Sequence, residues 1–153
     1  MYFASIASLV AQPFPIPSTE FIVGGFYKPG DGGGGTFMWY EPPLGTTWPA
    51  QDLGIIFYSP NDSDGYFQRI YSGPVNVRWF GAIYDEDAGR IDLTHYVHAA
   101  RNSEAFANDG TIYFPKGVYP GAFEFTHQGP ERSEINILSL PCLPHGDTAA
   151  SRR

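Results

Sequence analysis

The sequence has one cysteine, Cys142, so no disulfide can close within the chain, and no CxxC or Cys/His zinc spacing is present. A lone cysteine near the C-terminal end reads as an inert thiol. Charge is scarce too. Only 16% of the 153 residues are Asp, Glu, Lys or Arg, well under the usual quarter. Nine basic residues against sixteen acidic ones leave a net charge of -7. That balance excludes nucleic acid and anionic membranes as partners, because phosphate binding needs Lys and Arg gathered on one face. No run approaches the ~18 apolar residues that span a bilayer. The apolar start, Met1 to Val10, lacks the basic leader of a secretory signal and runs into Pro13-Phe14-Pro15.

What is abundant is aromatic rings and chain breakers. Twelve Phe, ten Tyr and three Trp sit among eighteen Gly and fourteen Pro. Aromatic runs cut by Gly and Pro predict strands and turns rather than long amphipathic helices. Phe3, Ile6, Ala7 and Val10 share one helical face, which predicts a short helix over 2–11. Strands are predicted at Phe21–Val23 continuing to Lys28, at Thr36–Tyr40, Gly54–Tyr58, Tyr66–Tyr71 and Val75–Phe80. A helix follows, with Asp92 as N-cap and Leu93, Tyr96, Val97 and Ala100 at i, i+3, i+4 and i+7. Then come strands at Thr111–Phe114, Val118–Tyr119, around Phe123 and Phe125, and at Ile135–Leu138. Ile112 and Ile135 lie 23 residues apart, within the period range of solenoids.

A strand ending in Gly81, a polar loop, a helix, then a strand broken at Pro115-Lys116-Gly117 is the order in which a right-handed parallel β-helix begins. The fold expected is therefore mainly β: a small antiparallel β module, a capping α-helix and the first, truncated coil of a parallel β-helix. The expected segments are a helix and Pro-rich linker at 1–19, the antiparallel module at 20–82, the capping helix and first coil at 83–140, and a disordered tail at 141–153. One coil buries little without neighbours, so a longer solenoid is implied.

These residues also resemble a known family. The runs Phe3–Leu9, Val23–Phe37, Gly65–Arg69 and Val75–Ala82, in that order, are similar to the N-terminal region of pectate-lyase-like β-helix proteins, including phage tailspikes and the rhamnogalacturonase and epimerase group. The resemblance covers residues 3 to 119. It departs where that family has Asp-Asp-Thr at the helix start and this chain has Asp92-Leu93-Thr94. It implies a homotrimeric, extracellular or virion protein whose partner is a complex polysaccharide, with catalytic carboxylates on later coils. The function expected is a non-catalytic capping and connecting segment of a polysaccharide lyase or glycoside hydrolase. The alternatives are a carbohydrate-binding module or a wall of the substrate groove. No cofactor and no metal is expected.

Several residues could carry chemistry. Asp85, Glu86, Asp87 and Asp92 form the densest acidic cluster, and two carboxylates held about 5 Å or about 6.5–9.5 Å apart could hydrolyse a glycoside. Nothing in their spacing enforces that, and a solvated loop with a helix cap accounts for all four. His95 and His98 sit at i and i+3, a metal-compatible spacing with only Glu104 and Asp92 as further ligands. Gly32–Gly35 lacks the Gly-Lys-Ser/Thr ending of a phosphate loop. Asp62-Ser63-Asp64-Gly65 lacks oxygen ligands at the outer positions of a calcium loop. Among Trp39, Trp48, Tyr58, Tyr66, Phe67 and Trp79, most must fill the core. Trp48, in its Pro/Gly loop, is the candidate for stacking on a sugar.

Overall fold

A computed structural model describes residues 1–13, 15, 17 and 19–123, together with the backbone of Asn136–Ser139. The predicted tail at 141–153, Cys142, Phe125 and Ile135 lie outside the described residues. The protein is mainly β with few and short helices. It divides into two compact units, Met1–Ser72 and Gly73–Arg153.

The first unit is one five-stranded sheet. Its strands are β1 (Tyr2–Phe3), β2 (Glu20–Val23), β3 (Gly35–Tyr40), β4 (Ile56–Tyr58) and β5 (Tyr66–Ile70), in spatial order β1-β2-β3-β5-β4. β2, β3, β5 and β4 pair antiparallel, and β1 joins the edge in parallel. Alternation decides the faces. Phe21 and Val23, Phe37 and Trp39, and Phe57 and Phe67 point inward and are buried. Helix α1 (Ile6–Val10) adds Ile6 and Leu9 to that core. The helix predicted over 2–11 is shorter than its apolar pattern. Ser5 caps it, accepting from the Ser8 N–H while Ser8 reaches back to the Ser5 backbone. The chain ahead of that box is free to pair, and Tyr2 and Phe3 sit opposite Ile22 and Val23.

The second unit is built on a three-stranded parallel sheet of β6 (Val75–Asn76), β7 (Thr111–Phe114) and β8 (Asn136–Ser139). Val75 pairs with Ile112, and Ile112 with Ile137. The strand predicted over Val75–Phe80 stops at Asn76, and Val77–Phe80 is a 3₁₀ turn. The Asn76 side chain accepts the Arg78 N–H at 2.9 Å, which offers the backbone an alternative to the ladder. Gly81 ends the turn at φ 89, a conformation that suits glycine.

Helices α2 (Thr94–Asn102) and α3 (Glu104–Asp109) fill the connection from β6 to β7. Val97 and Ala100 of α2, Leu93 just before it, and Phe106 of α3 are buried. Asp92 is not the N-cap, which is Leu93. Its carboxylate instead accepts from the Thr94 N–H and hydroxyl one step inside. Ser103 divides the two helices. Its hydroxyl accepts the Phe106 N–H and donates to the Ala100 carbonyl. Val118–Tyr119 is not a strand. Tyr119 turns inward instead, edge-on to Phe114 at 5.2 Å, with its hydroxyl on the Pro115 carbonyl.

Candidate functional site

The outward face of the first sheet carries an aromatic cluster. Tyr40 lies opposite Tyr66 across β3 and β5, and Tyr66 lies opposite Tyr58 across β5 and β4. All three side chains therefore leave the sheet on the side away from Phe67 and Trp39. Tyr40 and Tyr66 stack at 5.9 Å with 22° between their planes. Tyr40 and Tyr58 are each 37% exposed.

Trp48 arrives from the loop 41–54. It meets Tyr58 edge-on at 5.8 Å and Tyr66 tilted at 5.9 Å. Two side chains fix that loop. Asp52 accepts the N–H groups of Gly54, Ile55 and Ile56 through one oxygen, holding Leu53 at φ 61. Gln51 accepts the Tyr58 N–H at 2.7 Å, and the Tyr58 hydroxyl donates to the Pro49 carbonyl. The four rings thus form a supported surface rather than a loose tip. Burial raises the Tyr66 phenol above its ordinary value, and the nearby Tyr40 and Tyr58 phenols add to the rise.

The other aromatic candidates divide by alternation. Trp39 and Phe67 are core, and Trp79 is half-buried in the second unit. Tyr40 was absent from the sequence candidates, although a strand with Trp39 inward must point Tyr40 outward.

The acidic cluster is spread over a turn and a cap. Asp85 pairs with Arg90 at 3.2 Å across a small hairpin and accepts the Ala88 N–H. Glu86 and Asp87 are exposed at its tip. Asp92 is held below the usual carboxylate value by the hydroxyl and N–H of Thr94. His95 is exposed, while His98 is half-buried with its Nε2 enclosed. Among the described residues no group of three His, Cys, Asp or Glu side chains could hold a metal, and no helix is long and apolar enough to cross a membrane. Asp62 accepts the Asp64 N–H, closing a tight turn.

The glycine-rich loop is built around the Asp31 carboxylate. Asp31 accepts from the Phe26, Tyr27, Lys28 and Gly33 N–H groups at 2.8 to 3.1 Å. Those amides face a carboxylate of the chain itself, which is the place a phosphate would take. Burial alone would raise the Asp31 carboxyl, but the four amide donors hold it below its ordinary 3.8. A carboxyl lowered in this way stabilises the fold above its unfolded value and ceases to do so as pH falls through the folded one. Replacing Asp31 by alanine is expected to cost about 2 kcal/mol, since the carboxylate is only part-buried. The variant should also lose part of the acid-side slope of stability, read by urea titrations between about pH 2 and about pH 5, the range that spans the unfolded carboxyl value and the lowered folded one.

No family model matches the sequence, and no curated protein matches it. Solved structures do match. WceF of Pantoea stewartii, a glycan biofilm modifying enzyme with a tailspike-like parallel β-helix fold, aligns with 90% of this chain at TM-score 0.62 and 18% identity. The chain has the fold found in tailspike-like parallel β-helix proteins. Tailspike gp49 of the Acinetobacter baumannii phage Fri1, a capsular polysaccharide depolymerase, aligns with 78% of it at TM-score 0.59 and 17% identity. The enzymatically active domain of tailspike protein 2 from bacteriophage CBA120 aligns with 78% at TM-score 0.54 and 19% identity. The chain spans only about a fifth of each: 21%, 20% and 18% of their lengths.

Proposed function

We propose that this chain is the N-terminal capping and connecting portion of a polysaccharide-degrading β-helix protein, and is itself non-catalytic. In this reading β6, β7 and β8 are the first rungs of a right-handed solenoid, and α2 with α3 closes its end. One observation carries the reading: three short strands separated by long connections pair parallel and in register, with Val75 opposite Ile112 and Ile112 opposite Ile137 along the backbone. Parallel strands joined by such crossovers are right-handed in nearly all proteins. A solenoid end left open would expose apolar side chains and unpaired edges, and a buried helix face is one way to cover it.

The whole protein would be a lyase or glycoside hydrolase, extracellular or carried on a phage virion, and homotrimeric. Support comes from the glycan-modifying and depolymerase activities named for WceF and gp49. In the second unit, Asp85 and Asp92 are each engaged in local structure, which favours a structural role for the acidic loop. The test compares this 153-residue chain with the longest protein its gene encodes, each incubated with capsular polysaccharide and assayed for new reducing ends and unsaturated uronates. The longer protein is expected to shorten the polymer while the 153-residue chain releases nothing. Release by the chain alone contradicts the reading. So does a full-length product that carries no further parallel coils.

A further inference from the structure

We propose that the ring cluster of Tyr40, Trp48, Tyr58 and Tyr66 is a binding site for a neutral pyranoside segment of a glycan. The site lies wholly in the first unit and is independent of the solenoid reading of the second. A pyranose presents an apolar C–H face and a rim of hydroxyls. An aromatic ring covers the first, and polar groups beside it meet the second. Here three phenols leave one sheet face and an indole joins them from the neighbouring loop, with 6.5 Å or less between ring centroids for each contacting pair. Scattered single aromatics are ordinary on a protein surface, whereas a contiguous cluster marks a contact site. Phenol rings suit a wet, reversible partner better than leucine or isoleucine would, because a phenol ends in a hydrogen-bonding tip, although that of Tyr58 already donates to the Pro49 carbonyl.

Charge selects the kind of glycan. Residues 1–72 hold six acids, Glu20, Asp31, Glu41, Asp52, Asp62 and Asp64, against two cations, Lys28 and Arg69. Arg69 is 2% exposed and bonded to backbone carbonyls. Lys28 belongs to the turn beside Gly35, at the other end of β3 from Tyr40 and so roughly 16 Å away along the strand. Glu41 follows Tyr40 directly and is tied to the Trp39 indole at 3.0 Å. That tie holds Glu41 towards the opposite face, so a sugar bearing carboxylates would find no cation at the rings and would face only the unit's net excess of acid. A neutral one meets no such penalty.

The experiment is calorimetric titration of the full chain with neutral gluco-, manno- and galacto-configured hexasaccharides, and with hexagalacturonate as the anionic probe. At least one neutral hexasaccharide is expected to bind with Kd of about 1 mM, and hexagalacturonate at least about tenfold more weakly. Trp48→Ala should weaken the neutral ligand about tenfold and Tyr40→Ala about fivefold, with far-UV circular dichroism unchanged. Tyr2→Ala, on the far edge strand, should leave binding as it was. The proposal is overturned if no neutral hexasaccharide binds, if hexagalacturonate binds best, or if the ring variants bind like the parent. It is also overturned if Trp48→Ala converts an oligomer to monomers, because a second copy of the chain would then own this face.

Discussion

Replacing Arg69 by alanine is expected to destabilise the first unit by about 4 kcal/mol, as much as truncating one of its core aromatics. Arg69 points inward from β5, between the alternating core residues, and is 2% exposed. Its Nε donates to the Gly54 carbonyl at 2.8 Å and one terminal nitrogen to Gly33 at 2.9 Å, while the other donates to Gly34. The guanidinium also lies over Phe37 at 4.6 Å. Burial pushes its pKa down to about 9, opposed by the Asp52 carboxylate, so it stays charged at neutral pH. Removing it leaves three carbonyls from two loops without their donor and opens a cavity beside Phe37. Arg69→Lys should recover little, because an ammonium cannot present three divergent donors in one plane. Urea unfolding of the full chain checks this: the transition assigned to residues 1–72 should move to much lower denaturant, and a shift worth under about 1 kcal/mol would mean the carbonyls have other partners.

Val97→Asp should cost the second unit about 4 kcal/mol as well, by burying a carboxylate with no partner. Val97 is fully buried on α2, in the helix that packs on the 3₁₀ turn after β6. His95→Ala, two residues away on the exposed face, should change stability by less than about 0.5 kcal/mol. The contrast is informative because both substitutions act on one helix. Equal effects would mean that α2 is not seated by its apolar side. Thermal unfolding followed by circular dichroism and by the Trp79 region of the fluorescence separates the two outcomes.

Much of this fold could be read from alternation. Phe37 and Trp39 inward, with Thr36, Met38 and Tyr40 outward, follows from one strand pattern, and the paired strands at Phe57 and Phe67 repeat it. The seam of Leu93, Val97 and Ala100 was equally plain. Errors fell where side chains bond locally to backbone. Asn76 turned the expected strand into a 3₁₀ turn, and the Ser5–Ser8 box shortened the first helix. Both signals were present in the sequence, but propensity over a window outweighs one polar side chain in such a reading. The partners of Arg69 were not legible. An inward arginine shows in the pattern, but carbonyls at Gly33, Gly34 and Gly54 come together only in the folded sheet. The ring cluster was half legible. Trp48 stood out in its loop, while its neighbours depend on the register of three strands.

The register of the parallel sheet tests the account most directly. Interstrand NOEs in the 153-residue protein should link the backbone protons around Ile112 to Val75 on one side and to Ile137 on the other, in the pattern of parallel strands. Contacts showing Thr111–Phe114 paired antiparallel, or bonded on one side alone, would contradict it.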